Sequence, residues 1–306
     1  MSWDGKATKY GAFLVEGIDD LVHFGKLAGV NFVYRGQSNY EWPLQTKLER
    51  DISDSIREAP GLDRYEEYAL EQFKRRAHLY MTASEQPKRE DDTEWLSFIQ
   101  HYGGPTRLLD FTRSVFIAAY FAIGHGNKAD AAVVYAINTR PLAVTFWERA
   151  AEYVKLYGNK GGQSDVAMLK DSIAQDRCIP GVVVFNPKKQ NRRLLQQQGL
   201  FVAPVSLSLS FQENLFASLH GPVRLPSTKT GHCDELKNAK SLRSETSFNE
   251  YAVIRLLIPK ASYNRRDLGS IRDLLGQMNL SADTLYPDLQ GQMLALEELM
   301  PRSTPS

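Results

Sequence analysis

Four runs typical of buried strands lie beyond residue 130, and they do not alternate regularly with helical patterns. They cover residues 131–137, 181–185, 199–205 and 251–258, and each is rich in apolar or β-branched side chains. A fifth, shorter run ends at Tyr34. A doubly wound parallel sheet requires regular alternation of strand and helix. The sequence therefore predicts an α+β fold with a mixed or antiparallel sheet core and helical insertions.

The helical patterns are clearest before residue 130. From Asp63 onward, five residues fall on one helical face, which we expect to be buried: Tyr65, Ala69, Phe73, Ala77 and Tyr80. Ser114 is placed to cap a helix that runs through Phe121. Further helices are predicted to begin near Pro141 and to cover 266–278 and 289–300, whereas the stretch 227–246 resembles a surface loop.

Composition excludes several classes of protein. The 306 residues carry 37 basic and 36 acidic side chains, so no global field draws the chain to nucleic acid or to an anionic membrane. The two cysteines, Cys178 and Cys233, lack the spacing of a zinc site. The N-terminus has no apolar signal core, and no apolar run is long enough to span a bilayer. We expect a cytoplasmic protein with no membrane association.

The segment Tyr34-Arg35-Gly36-Gln37 places an arginine at the end of a predicted strand. A planar guanidinium can grip a phosphate or carboxylate with two donors, and a neighbouring glycine lets a ligand approach the backbone. The alternative is that Arg35 pairs with a carboxylate of the core.

The segment from Gln100 to Thr112 is the most unusual part of the chain, because it combines a histidine, two glycines, a proline and several polar side chains. His101 is a candidate acid or base, and Asp110 could orient His101, pair with an arginine, or act as a base. The alternative is a structural turn in which Asp110 forms a salt bridge with Arg107.

A third segment, 186–201, is basic and then rich in glutamine. Arg192 and Arg193 could contact phosphates, and the glutamines could present amides to a ligand. The alternative is a solvated helix face. Glycine-rich dinucleotide and phosphate loops, the nucleophile elbow of hydrolases, and histidine pairs with metal-ligand spacing are all absent from the sequence. We therefore expect no metal.

Together these segments resemble the FRG-domain family, which takes its name from a Phe/Tyr-Arg-Gly triplet. The resemblance lies in 32–37, 42–44, 100–122, 186–201 and 285–289. It implies a short N-terminal segment, 1–29, followed by one large FRG domain over 30–300. The family is known mainly as a bacterial and phage-associated domain.

The order of parts also resembles the ADP-ribosyltransferase fold. In that fold a first strand supplies an arginine or histidine for the dinucleotide, a strand with Ser or Thr follows, and a late strand carries a glutamate. Arg35 matches the first position and Thr112 or Thr106 the second, whereas Gln197 stands where the glutamate is expected. A glutamine can hydrogen-bond the ribose but supplies no charge, so Asp110 or Glu213 would take that role.

The resemblance implies an ADP-ribosyltransferase-like or NAD-processing enzyme of a bacterial toxin or phage-defence system, with NAD as substrate. The implied catalytic residues are Arg35, His101, Asp110 and Gln197. The implied nucleotide contacts are Arg35, Gly36, Gln37, Thr106, Arg107 and Thr112. An acceptor protein or nucleic acid and a neutralising partner protein are implied as partners. Two alternatives stay open: a binding module that senses a nucleotide or nucleic acid without turnover, and a metal-independent nuclease with His101 as base.

Overall fold

In the computed structural model, the described residues are 9–51, 62–124, 129–142, 151, 154–156, 169–173, 179–219, 232–263 and 270–299. They form one sheet with helices on both faces. The strands are β1 (Lys9–Leu14), β2 (Phe32–Gln37), β3 (Leu109–Thr112), β4 (Ala131–Asn138), β5 (Val182–Phe185), β6 (Gly199–Pro204), β7 (Lys240–Ser241) and β8 (Tyr251–Pro259).

The helices that matter for the argument lie between these strands and after the last of them. They are α1 (Ile18–Ala28), α2 (Lys47–Asp51), α3 (Leu62–Arg76), α4 (Asp92–His101), α5 (Val115–Ala122), α6 (Arg192–Gln196), α7 (Phe211–Ala217), α8 (His232–Asn238), α9 (Lys260–Tyr263), α10 (Ile271–Gln277), α11 (Ala282–Leu285) and α12 (Leu289–Leu299). No helix among these described segments is long and apolar enough to cross a membrane.

The eight strands lie in the order β5-β6-β3-β2-β4-β8-β1-β7. Strand β1 runs parallel to β7 and β8, and the remaining pairs are antiparallel. This confirms the α+β prediction of a mixed sheet core. Because β1 pairs with β8 along its whole length, residues before position 30 help to build the same sheet as the rest of the chain.

The sheet is nearly split between β2 and β3. These two strands share one paired position, Tyr34 with Thr112, whereas β2 pairs with β4 at six positions and β3 pairs with β6 at four. A sheet that is continuous on either side of a splayed junction leaves a crevice at that junction, into which strand residues from both halves can project. This crevice holds the candidate site.

Apolar side chains cover both faces of the sheet. On one face, α1 and α5 pack on residues such as Phe32, Tyr34 and Val134. On the other face, α7 packs on residues that include Val33, Phe111 and Leu200. Helix α5 is capped as predicted, since the Ser114 hydroxyl accepts a hydrogen bond from the backbone N–H of Ile117 at 3.3 Å.

All five predicted strands are confirmed, and β2 continues past Tyr34 through Arg35 and Gly36. The predicted helix after Pro141 falls mostly outside the described residues, and so does part of the predicted loop 227–246. For the described part of this stretch the loop prediction is wrong, because these residues form α8, β7 and a 3₁₀ turn at Leu242–Ser244. The apolar residues of this stretch, such as Leu236 and Leu242, are too few to stand out against its lysines and serines.

The predicted face of α3 is confirmed only in part, since Phe73 packs on the core and Ala77, just after the helix, is buried. Tyr65 and Tyr80 are exposed, whereas Leu62, Glu66 and Leu70 are buried. The error has an electrostatic cause, because Glu66 is drawn into the core by an ion pair with Arg107. A pattern based on hydrophobicity cannot identify a face whose central residue is a paired carboxylate.

Candidate functional site

A pocket of about 240 Å³ lies where β2 and β3 separate. Residues from both strands, from α5 and α6, and from the segment between α11 and α12 line it. The lining residues are Tyr34, Arg35, Gly36, Asp110, Phe111, Thr112, Phe121, Arg193, Gln197 and Tyr286. Polar and charged groups therefore face aromatic rings across a small space, an arrangement common in ligand sites.

Arg35 projects from β2 into this pocket and spans the split in the sheet. Its Nη1 donates to the backbone carbonyl of Asp110 at 2.8 Å, while its buried Nε has no hydrogen-bond partner. Among the described residues, Arg35 forms no ion pair, so the alternative of a core carboxylate partner is not what the structure shows. Burial lowers the pKa of Arg35, the charge of Asp110 acts in the opposite direction, and Arg50 adds to the lowering.

Gly36 is required by helix packing. A Cβ at this position would lie 2.0 Å from the Ala118 carbonyl oxygen and 2.6 Å from the Ala122 backbone nitrogen. Both contacts are with helix α5 backbone, which cannot move aside cheaply. The Arg-Gly pair thus combines a side chain that enters the pocket with a residue that lets α5 rest directly on β2. The predicted role of Gly36, to admit a ligand to the backbone, stays a prediction.

Asp110 provides the carboxylate of the pocket lining. Its Oδ2 accepts a hydrogen bond from Gln100 Nε2 at 2.7 Å, and Gln100 is held in turn by the Thr106 hydroxyl at 2.6 Å. The Oδ1 atom of Asp110 has no hydrogen-bond partner within the described part of the chain. One oxygen therefore orients the carboxylate, and the other is available to a ligand.

Thr112 and Gln197 both reach the pocket, and both are held by internal hydrogen bonds. The Thr112 hydroxyl donates to the Gln197 carbonyl at 2.7 Å and accepts from the Ser114 N–H at 3.1 Å. The Gln197 side-chain amide donates to the Leu285 carbonyl at 3.0 Å. These contacts join β3, the turn before β6 and the end of α11 into one wall.

Arg193 and Tyr286 continue the lining beside Gln197 and Leu285. The sequence suggested Arg193 only as one of two possible phosphate contacts, and Tyr286 only as part of the family resemblance. The guanidinium carbon of Arg193 lies 4.4 Å from the centroid of the Tyr286 ring, a cation–π contact. The Tyr286 backbone is pressed against Gly291 of α12, where a Cβ would lie 1.8 Å from the Tyr286 carbonyl oxygen. Basic residues on a short helix are usually solvated, so only the fold reveals that Arg193 points into a pocket while Arg192 is exposed.

His101 ends helix α4 outside the pocket lining, with its ring edge-on to Tyr102 at a centroid distance of 4.8 Å. Burial, followed by the positive charge of Arg193, lowers the pKa of His101, whereas Asp288 and Asp110 raise it. The imidazole is therefore close enough to sense the charges of the pocket. It is biased toward the neutral form.

The remaining predicted nucleotide contacts lie elsewhere. Gln37 is buried, donates to the Pro43 carbonyl at 3.2 Å, and leaves its Oε1 without a partner. Thr106 is buried and bonded to Gln100 and to the Leu108 N–H. Arg107 is 1% exposed and is bound by Glu66, not by Asp110 as the turn hypothesis had it. None of the three lines the pocket, so the structure assigns them to the framework around it.

Electrostatically, the lining carries two arginines and one aspartate. Over the part of the chain that the structure describes, no group of three or more His, Cys, Asp or Glu side chains is placed to hold a metal ion. The arrangement favours an anionic ligand that carries an aromatic or sugar group against the rings.

No curated protein and no solved structure matches the chain. A family model does match, and it covers residues 30–131, about one third of the length. Seven of the ten lining residues fall within that match, from Tyr34 to Phe121, whereas Arg193, Gln197 and Tyr286 lie beyond it. The matched segment contributes β2, β3 and α5, which carry the Arg-Gly pair and the surface on which it packs. This protein contains an FRG domain.

Proposed function

We propose that this protein is an ADP-ribosyltransferase-like enzyme that binds NAD in the pocket between β2 and β3. One observation carries the proposal. Arg35 of β2, Thr112 of β3 and Gln197, just before β6, line a single pocket. In the resemblance to the ADP-ribosyltransferase fold, these positions correspond to the arginine that binds the dinucleotide, the Ser or Thr, and the glutamate.

The unsatisfied guanidinium of Arg35 supports a role in holding the dinucleotide phosphates. A buried Nε without a hydrogen-bond partner costs free energy, and a phosphate oxygen would satisfy it. The Asp110 carboxylate lines the same pocket as Arg35, which donates to the Asp110 backbone carbonyl at 2.8 Å.

Asp110 is then the group that acts at the anomeric carbon. When the bond between ribose and nicotinamide breaks, nicotinamide leaves with the electron pair and the ribose becomes cationic. A carboxylate nearby stabilises that cation. Water or an acceptor then forms the new bond and gives up a proton, for which the neutral His101 at the edge of the pocket is suited.

The test is to incubate the purified protein with NAD and to measure nicotinamide by chromatography. We expect release by the unaltered protein, none by Arg35→Ala, and a rate reduced about 10²–10³-fold by Asp110→Asn. Arg192→Ala, which changes the exposed neighbour of Arg193, is the matched control and should keep full activity. The proposal is wrong if Arg35→Ala releases nicotinamide as fast as the unaltered protein.

A second candidate is a module that binds a nucleotide or nucleic acid without turnover. One observation favours it: where the glutamate is expected, Gln197 supplies a neutral amide that is already bonded to Leu285. Calorimetry with NAD, ADP-ribose and short oligonucleotides separates the two candidates, because binding without nicotinamide release supports the module. The nuclease is not proposed, because no histidine or lysine among the described residues lines the pocket to act together with His101.

For the setting, we propose a toxin or phage-defence system, in which loss of NAD would harm the host cell. A neutralising partner protein and an acceptor that is protein or nucleic acid belong to the same proposal. Their test is co-purification of the chain, with Arg35→Ala used to permit expression if the active protein is toxic.

A further inference from the structure

Arg193 is a second cation in the pocket, and the short helix α6 that carries it is held in a fixed position. Asn191 caps its short helix, since the Asn191 Oδ1 accepts from the Leu194 N–H at 2.7 Å. The helix is also seated on β6, where a Cβ at Gly199 would lie 2.5 Å from Leu194 Cδ1. The backbone that carries Arg193 is therefore held at both ends.

The side chain of Arg193 is also held, but its charge is not neutralised. Tyr286 supports the guanidinium from one side at 4.4 Å. Within the described residues Arg193 forms no ion pair, in contrast to Lys188 or Arg243, which each contact a carboxylate. Arg193 also donates a hydrogen bond to the Tyr286 hydroxyl, and the remaining N–H donors of the guanidinium match the oxygens of a phosphate.

Two unpaired guanidinium groups in one pocket repel each other unless an anion lies between them. Arg35 reaches the pocket from β2 and Arg193 from α6, on different sides of the split sheet. Asp110 is the lone carboxylate among the ten lining residues, and Arg50 adds a further positive charge near Arg35. Two arginines and one aspartate give the lining a net charge of +1, or +2 with Arg50, which suits a phosphate ligand, and the two separate guanidinium groups offer one binding position each.

We propose that Arg35 and Arg193 together select a ligand with two linked phosphate groups, Arg35 holding one phosphate and Arg193, positioned by Tyr286, holding the other. This inference rests on the proposed nucleotide pocket and adds that the pocket prefers a diphosphate to a monophosphate. It assigns Arg193 as a binding residue and Tyr286 as a positioning residue, roles that the family match over 30–131 does not reach.

The test compares ADP with AMP, which share base and ribose and differ by one phosphate. By isothermal titration calorimetry the unaltered protein should prefer ADP about 10- to 100-fold, the range expected for one added charge-assisted contact. Arg193→Ala should bind both ligands with the affinity that the unaltered protein has for AMP. Arg35→Ala should weaken both, and the exposed Arg192→Ala should change neither.

Two variants of Tyr286 separate positioning from simple loss of structure. Tyr286→Phe keeps the ring under the guanidinium and should keep the preference for ADP. Tyr286→Leu removes the ring and should reduce the preference for ADP toward that of Arg193→Ala.

A preference for ADP that persists in Arg193→Ala overturns the inference and leaves the NAD proposal intact. So does equal affinity for ADP and AMP in the unaltered protein. If the unaltered protein binds neither ligand and releases no nicotinamide, both proposals are wrong.

Discussion

Arg35 and Arg107 show how differently the same side chain is used on neighbouring strands. Arg107, just before β3, is 1% exposed and makes bonds to Glu66, Ser172 and the Val205 carbonyl through every arm of its guanidinium. Arg35, on β2, donates once to a backbone carbonyl and leaves its Nε unpaired. All guanidinium nitrogens of the core arginine are therefore paired, whereas the pocket arginine has donors without a protein partner in the described part of the chain.

The comparison suggests that a ligand-binding arginine can be recognised, without its ligand, by hydrogen-bond donors and a charge that the protein leaves unmatched. A fold gains stability from a buried guanidinium only when all its donors and its charge are matched. An arginine that is partly buried but unmatched costs stability, so its retention points to a ligand. Charge matching separates Arg193, which is stacked but not ion-paired, from Arg255, which is paired with Glu235 although its Nε, like that of Arg35, has no hydrogen-bond partner among the described residues.

We expect the largest effect on stability from substitution of Arg107, the arginine whose donors are all paired. Arg107→Ala leaves the carboxylate of Glu66, itself 1% exposed, without its partner in the core. We expect the free energy of unfolding to fall by about 3–5 kcal/mol, as for other broken buried ion pairs. Chemical denaturation followed by circular dichroism measures it.

A double variant, Arg107→Met with Glu66→Leu, provides the control for that loss. It removes both charges and should recover much of the stability, because the penalty comes from the stranded charge. A single variant as stable as the unaltered protein would show that Arg107 is no more structural than Arg35.

The next effect concerns the glycine beside the pocket arginine. Gly36→Ala places a methyl group 2.0 Å from the Ala118 carbonyl oxygen, so α5 must move away from β2. We expect a loss of about 1–3 kcal/mol in the free energy of unfolding, typical of overpacking. Thermal and chemical unfolding both report it.

Gly276 in α10 is the matched control for this substitution. A Cβ there meets nothing within 4 Å, and the residue lies inside a helix. Gly276→Ala should be neutral or should stabilise the protein by about 0.5–1 kcal/mol. Equal effects of the two substitutions would rule out the packing explanation for the Arg-Gly pair.

The unsaturated arginine itself should matter little for stability. Arg35→Ala removes one hydrogen bond to a carbonyl, worth about 1 kcal/mol, and also removes a buried Nε that has no partner. These terms oppose each other, so the free energy of unfolding should change by about 1 kcal/mol or less. A loss as large as that of Arg107→Ala would place Arg35 in the framework, and ligand binding by this variant would then say nothing about its role.

The sequence was sufficient for five of the eight described strands, because runs such as 131–137 are apolar, contain β-branched residues and have a length typical of strands. It also indicated Arg35, which stands beside Gly36 at a predicted strand end, and Asp110, which belongs to the polar segment from Gln100 to Thr112. It could not place Arg193 or Tyr286 at the pocket. Their contact joins two helical segments far apart in the chain, and neither has a local pattern that distinguishes it from a solvated residue.

Arg107 was misjudged for a related reason. Its partner Glu66 lies 41 residues earlier, on a helix whose apparent apolar stripe pointed elsewhere. Local sequence favoured Asp110, three positions away, as the natural ion-pair partner. Tertiary contacts decided which of the two arginines in this region was saturated, and no periodicity reports such a contact.

The smallest expected effect extends the comparison to the edge of the pocket. Burial comes first in lowering the pKa of His101, and the unneutralised charge of Arg193 comes second. Arg193→Gln removes that positive charge and keeps a polar side chain, so the imidazolium becomes easier to form and the pKa of His101 should rise toward its ordinary value. Proton NMR titration of the histidine ring measures this shift. Arg192→Gln, one residue away and exposed, should leave the titration unchanged. An added diphosphate should raise the pKa of His101 in the unaltered protein, because the bound anion offsets the charge of Arg193. If neither Arg193→Gln nor the anion changes the titration, the charges of the pocket do not act on His101.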